Sequence, residues 1–419
     1  MSIGYACHTL AVSGTEIKKC LLRNADEATL RGLIEWNLNA LERMVEYNLQ
    51  NGIRLYRISS DLIPFASSPV NHIPWALDYA DRLAAIGRKI LLGGMRVSMH
   101  PGQYTVLNSP ESTVAENAVR ELVYHTQFLD SLGMPASHRI ILHVGGAYGD
   151  KPAAVARFRE RFAALPQPVR ARLTVENDDR IFTAEDALAV GRENRIPVVF
   201  DNLHHRLHPS GPPERDDTAW IRLCAETWGL ADGRQKIHYS QPDPEKKPGA
   251  HSSSIRLDGF LPFYRSLSDP LPDIMLEVKD KNLSALKCIL ATDPTPPPAA
   301  LEKEWARYKY RVLEHSQRHY REIRELLKRR APGTALSFYR HVEEALALPI
   351  VPGEAINAAE HVWGYFRDAA SPSEKTGFQK ALASYAAGEL SLSAVKRRLQ
   401  LLAEAHKESY LTESYYFIL

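Results

Sequence analysis

The chain reads as an α/β protein, a (β/α)8 barrel of the TIM type followed by an all-α extension. Three observations predict this. Short, near-continuously apolar runs, the mark of strands buried on both faces, recur eight times before residue 290. Stretches with helical spacing fill the intervals, as crossovers between parallel strands require. Side chains able to bind metal ions stand at the ends of these runs one after another, where a barrel mouth would gather them.

The candidate strands are residues 3–8, 53–59, 97–100, 140–144, 173–176, 198–201, 237–239 and 274–278. Between them, GLIEWNLNALERMVEYNLQNG and VAENAVRELVYHTQFLDSLG carry helix periodicity, and each ends at a glycine placed to cap a helix C-terminus. An open doubly wound sheet is the competing architecture, but no Gly-rich phosphate loop follows the first strand. The later cluster VGGAYGDK lacks the lysine and Ser/Thr of a P-loop and reads as a tight turn.

The alternation stops near Leu290, which sets a barrel domain at 1–290. ATDPTPPPAA at 291–300 can continue neither a helix nor a central strand and reads as a stiff linker. Residues 301–419 look wholly helical, beginning with the long run KEWARYKYRVLEHSQRHYREIRELLKRR. SPSE supplies N-cap chemistry and Gly388 a helix stop. Tyr308, Tyr310, Tyr320, Phe338, Tyr339, Trp363, Tyr365 and Phe366 are expected to form the core of a small bundle. Residues 303–330 hold ten Lys/Arg against four Glu, a run that would track phosphates or, more ordinarily, face solvent.

A chain of 419 residues with 44% hydrophobic and 24% charged content has the composition of a globular protein with a large core. The net charge of +2 excludes a polycation, so contact with nucleic acid would need a local basic surface. Cys7, Cys20, Cys224 and Cys288 form no CxxC pair and suit small reduced hydrophobes in a cytoplasmic protein. The N-terminus lacks the basic and apolar regions of a signal peptide, and no run approaches the ~18 apolar residues of a membrane span.

Read in order, RVSMHPGQY delivers His100, RIILHVGG delivers His143 and RLTVEND delivers Glu176. PVVFDNLHH delivers Asp201 and His204, QKIHYS delivers His238, and PDIMLEVKD delivers Glu277. Taken singly, each is more often a satisfied structural side chain or a salt bridge. Their recurrence at strand C-termini, the face on which barrel active sites are built, points to one site. Gathering so many acids and imidazoles without cations is costly, and divalent ions resolve the repulsion. Imidazole and carboxylate without thiolate suit Mn²⁺, Zn²⁺ or Fe²⁺. More ligands than one ion needs imply a cluster, a standard arrangement for in-line phosphodiester hydrolysis. His204 and His205 cannot both face the mouth, and His204 is expected to do so.

The strings SSPVNHIPW, SMHPGQYTVLNSP, ILHVGG, TVENDDR, VVFDNLHH, KIHYS, GAHSSSI and LEVKDKN, in this order, resemble the ultraviolet damage endonucleases. These are metal-dependent barrels related to the xylose-isomerase-like and endonuclease-IV-like enzymes. The resemblance covers roughly residues 1–290. It implies a repair enzyme that nicks damaged double-stranded DNA 5′ to cyclobutane dimers and 6-4 photoproducts. It also implies a cluster of up to three divalent ions, usually Mn²⁺, with Mg²⁺, Zn²⁺ or Co²⁺ as alternatives. Carried over, the metal shell is His72, His100, His143, Glu176, Asp201, His204, His238, His251 and Glu277, with Glu176 and Glu277 as bridging catalytic carboxylates. Lys236 matches a lysine that the family can carry carboxylated, an unmodified phosphate-contacting lysine being the alternative. Gln103 and Tyr104 match a pair that fills the space left by a flipped dinucleotide, and Tyr5 matches a tyrosine beside the lesion. Thr9 stands where an asparagine is common. Lys246, in the basic loop DPEKKPGAHSSS, would grip the DNA backbone, solvated loop charge being the alternative.

The rival function is a metal-dependent sugar isomerase or epimerase on the same barrel type, which shares the carboxylate and histidine mouth. HPGQY and the basic loop favour the nuclease, since a small sugar needs neither. The tail alone would suit a binding module. A monomer in the cytoplasm, associated with the nucleoid, is expected.

Overall fold

The computed structural model describes residues 1–212, 215–329 and 331–418. Among them the eight expected strands all form, each four residues long. They are β1 (Ile3–Ala6), β2 (Leu55–Ile58), β3 (Arg96–Met99) and β4 (Ile140–His143), then β5 (Leu173–Glu176), β6 (Val198–Asp201), β7 (Lys236–Tyr239) and β8 (Asp273–Leu276). They pair in chain order, all parallel, and β1 closes on β8 with Ile3 opposite Ile274. The protein is a TIM barrel, and the competing open sheet is excluded by that closure.

The alternation of side chains along each strand explains how the site is presented. In β7, Lys236 and His238 share one face, while Tyr239 packs outward against Phe260 and Phe263 of the helix Leu257–Ser266. β5, β6 and β7 end at the expected residues, and the other five strands end one or two residues inside the expected spans. His100 and Glu277 therefore stand just beyond the last paired residues of β3 and β8. The crossover helices start and stop as their sequences dictate. Asp26 accepts from the Thr29 N–H to cap Glu27–Gln50, and the chain leaves that helix through Gly52 at φ +72°.

Two compact units are present, Met1–Thr9 with Gly14–Leu286, and Leu10–Ser13 with Lys287–Leu419. The division falls inside the helix Asn282–Thr292 rather than at the proline run expected to mark it. Only residues 293–297 of that run lie outside helices, because Pro298 takes the first-turn position of Pro298–His315, where its missing N–H has no cost.

The second unit is helical among its described residues, as expected. The single long helix read over 303–330 is instead two, Pro298–His315 and Gln317–Arg329. Ser316 between them is extended (φ −163°, ψ 109°), and its hydroxyl accepts from the His319 N–H. Arg330, at the end of the basic run, lies outside the described residues. Trp363 stacks on Phe378 at 4.5 Å beside Tyr310 and Phe366. Tyr365 departs from the expected core, being 41% exposed with its hydroxyl accepting from that of Tyr310. Ser371 and Glu374 form a capping box, and Gly388 takes φ +77° at the expected stop.

Candidate metal centre

Glu176, the last residue of β5, is fully buried and organises the barrel mouth. Its Oε1 lies 2.8 Å from His238 Nδ1, and its Oε2 lies 3.1 Å from His100 Nε2. His143 Nε2 at 3.9 Å and His204 Nδ1 at 3.7 Å complete the ring of imidazoles around it. The neighbouring rings are close, with centroids 5.2 Å apart for His100 and His143 and 5.5 Å for His143 and His204. Residues 100 to 238 of the sequence thus meet around one carboxylate.

Asp201 ends β6 and serves as N-cap of the short helix Asn202–Leu207. Its Oδ1 accepts from the His204 N–H at 2.8 Å, which sets His204 one turn further on, toward the mouth. His205 packs away from the mouth between Phe200 and Trp220, while His204 faces Glu176 and Asp201. Glu277 follows β8 and faces His238 at 3.5 Å and His251 at 3.8 Å. An antiparallel bridge between Pro242 and His251 folds the loop after β7 back and delivers His251 there.

Three triads of potential ligand atoms result, each drawn together within 4.8 Å: His100, His143 and Glu176; Glu176, Asp201 and His204; and Asp201, His238 and Glu277. They share members, as a cluster of ions bridged by carboxylates requires. The polar atoms left over fit the same reading. Asp201 Oδ2, His143 Nδ1 and His238 Nε2 are buried without hydrogen-bond partners, a costly state unless something binds there.

The electrostatics point the same way. Burial alone would raise Glu176, but His238, His143 and His100 outweigh it and hold the carboxyl well below its usual range. Burial, with Glu176 and Glu277 nearby, raises Asp201 despite the opposing His204. Burial would lower His204, but Asp201, Glu176 and Glu277 push it up to about 9. His204 thus holds a proton that offsets these acids, a role a divalent cation would fill better.

Two contributors escaped the sequence reading. Arg57, at the end of β2, donates to Glu277 Oε1 and is largely buried. A charged residue inside the apolar run LYRIS was the available signal. Asn177 takes the Asp201 N–H and donates to the Asp201 carbonyl, and its own carbonyl meets His204 Nδ1 at 3.0 Å. It orients two candidate ligands at once.

Not every expected residue arrives. His72 is exposed and belongs to none of the three triads. It sits in a loop where Asn71 bonds the Pro64 carbonyl and the Ile73 N–H, so Ile73 turns inward and His72 outward. Tyr5 offers no surface to DNA: it is 0% exposed, its hydroxyl donates to Asn48 and meets Thr9, and its ring packs on Tyr56. Its lesion contact is withdrawn. Gln103 and Tyr104 form the exposed tip of a turn closed by the Thr105 N–H on the Gly102 carbonyl, and Tyr104 is 67% exposed. Beside Tyr104 lies a cleft of ≈ 300 Å³ lined in part by Ser60, Phe65 and Tyr124. Lys246 is exposed and 3.6 Å from Asp243.

Lys236 is fully buried below His238, and its Nζ has no hydrogen-bond partner. Burial first, then the charges of Arg96, Arg57 and Arg139, opposed only by Asp273, hold its amine well below the usual lysine range.

Fold and site together define a TIM-barrel protein whose strand ends converge on a histidine and carboxylate cluster. A family model described as UV-endonuclease UvdE matches residues 3–293, and the chain belongs to that family. A second model, a protein of unknown function (DUF1722), matches residues 309–419. The chain is 37% identical over 353 residues to a UV DNA damage endonuclease of Clostridium perfringens (strain 13 / Type A), covering 83% of this chain and 84% of the relative. A UV DNA damage endonuclease of Bacillus cereus (strain G9842) is 32% identical over 300 residues, covering 69% and 93%. The crystal structure of SacUVDE is similar at TM-score 0.65 and 37% identity, covering 69% of this chain and 96% of that one.

Proposed function

We propose that the barrel unit is a metal-dependent endonuclease of DNA repair that nicks the backbone 5′ to ultraviolet photoproducts. The observation that carries this reading is the convergence of His100, His143, Glu176, Asp201, His204, His238, His251 and Glu277 on one mouth. Family membership names the substrate class.

Divalent ions held there, Mn²⁺ first among them, would supply Lewis acidity to the scissile phosphate and the attacking water. The chain's own residues fix the geometry. The two oxygens of Glu176 face different histidines, so this carboxylate can span two ions, and Glu277 lies between His238 and His251 in the same way. Asn177 holds Asp201 and His204 in register. Tyr104 at the tip of its turn is free to stack in place of an everted dinucleotide, with Gln103 beside it, and the cleft next to Tyr104 offers room for an extruded base. Lys246 would add a backbone phosphate contact.

Lys236 fits carboxylation. In its deprotonated form the amine can add CO₂ and release a proton, and the resulting carbamate would be attracted to the three arginines that disfavour an ammonium there. The intact mass of protein purified without chelator tests this through the added mass of one CO₂, absent from Lys236→Met.

The test of function is an incision assay on a duplex with a single thymine dimer, with and without Mn²⁺. We expect cleavage 5′ to the dimer that requires the ion and falls by orders of magnitude in Glu277→Ala. Undiminished cleavage by that variant would sink the assignment.

A further inference from the structure

The helical unit holds a second group of metal-capable side chains, on the helices Gln317–Arg329 and Thr334–Leu346. His319 and Glu322 are one turn apart on the first, and His341 and Glu344 one turn apart on the second, so the motif His-x-x-Glu occurs on both. The helices bring the two motifs face to face. His319 Nε2 is 3.6 Å from Glu344 Oε2, and His341 Nδ1 is 3.5 Å from Glu344 Oε2 and 3.9 Å from Glu322 Oε2. Ligand atoms of His319, Glu322 and His341 all lie within 4.8 Å of one another.

We propose that His319, Glu322, His341 and Glu344 form a divalent-cation site, of the borderline class typified by Zn²⁺, which ties these two helices together. Four donors at the Zn²⁺ bond length of about 2.0–2.1 Å stand ~3.4 Å apart in a tetrahedron. The observed 3.5 and 3.6 Å separations nearly match that spacing. Glu322 and Glu344 are the more exposed members, so their side chains have room to close the rest.

Three details separate this arrangement from a chance set of surface ion pairs. His319 is only 3% exposed, and its Nδ1 is 2.9 Å from the Ser316 hydroxyl. With the Nδ1 proton donated to Ser316, the lone pair of Nε2 points into the cluster, as a second-shell partner of a ligating histidine does. Arg318 donates to that same Nε2 at 3.4 Å, which requires the same tautomer, and its side chain is exposed enough to swing aside. Finally, His341 Nδ1 is buried and lacks a hydrogen-bond partner. A buried acceptor aimed at two carboxylates gains nothing from them unless a proton or a metal ion lies between.

Imidazole with carboxylate selects a borderline cation over Mg²⁺ or Ca²⁺. Four protein donors would fill a tetrahedral site, so the effect of the ion is on the stability of this helical unit.

The barrel mouth also binds ions, so the experiment must count them separately. Full-length protein is stripped with chelator, loaded with Zn²⁺, desalted, and its zinc measured by mass spectrometry. The wild type is compared with His341→Ala and with the shape-preserving pair Glu322→Gln/Glu344→Gln. We expect each variant to retain one equivalent less than the wild type, with Mn²⁺-dependent incision unchanged. Co²⁺ should give a tetrahedral visible band in the wild type that both variants lose. Equal zinc content in all three proteins, or an identical Co²⁺ spectrum, would overturn the proposal. The double variant guards against misreading a folding defect in His341→Ala.

Discussion

Arg57 donates from its guanidinium to a carboxylate oxygen of Glu277, so one candidate ion ligand already carries an internal counter-charge. The pair joins β2 to the residue after β8, strands that flank β1, and both partners are largely buried. Burial would raise the Glu277 carboxyl, but Arg57 and then His238 hold it lowered. The arginine therefore keeps Glu277 ionised before any ion arrives, which is the state that a metal ligand needs.

Removing Arg57 should expose that dependence. In Arg57→Met the buried carboxylate loses its partner, a change that costs about 3–5 kcal/mol where no other cation compensates. We expect urea denaturation of metal-free Arg57→Met to show a loss of that order. Saturating Mn²⁺ should recover more stability in the variant than in the wild type, because the ion then supplies the missing charge. If Mn²⁺ stabilises both proteins equally, Glu277 is not a ligand and Arg57 is only a structural partner.

Tyr104 makes a contrasting case, since it is exposed and its removal should leave the fold intact. Stacking of a base on an aromatic side chain is worth about 1–3 kcal/mol. Tyr104→Ala should therefore weaken binding to a dimer-containing duplex by roughly 5- to 150-fold. Affinity for undamaged duplex should change little, and the melting temperature should not move. An equal loss on both duplexes would show that the tyrosine contributes to general DNA contact and does not read the lesion.

The barrel and most of its mouth were legible because the same residues encode both. A strand buried on two faces must be continuously apolar, so a histidine or acid at its end stands out, as His143, Glu176 and Asp201 do. Residues that act from loops carry no such contrast. His72 lies in a polar segment whose direction is set by the Asn71 side chain, a local hydrogen-bond choice that no periodicity reveals. Tyr5 was placed correctly at a strand end. Whether its ring faces DNA or the interior depends on Asn48, 43 residues away on a different element. Arg57 and Asn177 were missed because their work is to hold ligands, and an arginine within a strand or an asparagine in an acidic turn looks like many others. In the tail, helical spacing ran unbroken through Ser316, and only the backbone turn there shows that two helices meet.

Acid should destabilise the barrel through histidines that the metal reading does not use. His125 is fully buried, with Nδ1 2.7 Å from the Glu121 carbonyl and Nε2 2.8 Å from the Ser60 hydroxyl, and burial pushes its pKa down to about 4. His138 accepts the Val97 N–H at Nδ1, which demands the neutral ring, and burial above all brings it to about 3. For a base with a depressed folded pKa, the unfolded chain binds more protons between the two values, so stability rises with pH across that window. The contribution is complete above the unfolded value of about 6.5 and is lost as pH falls toward 4. His125 alone accounts for about 2–3 kcal/mol between pH 7 and pH 4.5. Urea unfolding at those two pH values should show His125→Gln less stable than the wild type at pH 7, with the gap narrowing by that amount at pH 4.5. A gap that stays constant would mean that the ring is already protonated in the folded protein, and the hydrogen bonds to Glu121 and Ser60 would then need a different assignment.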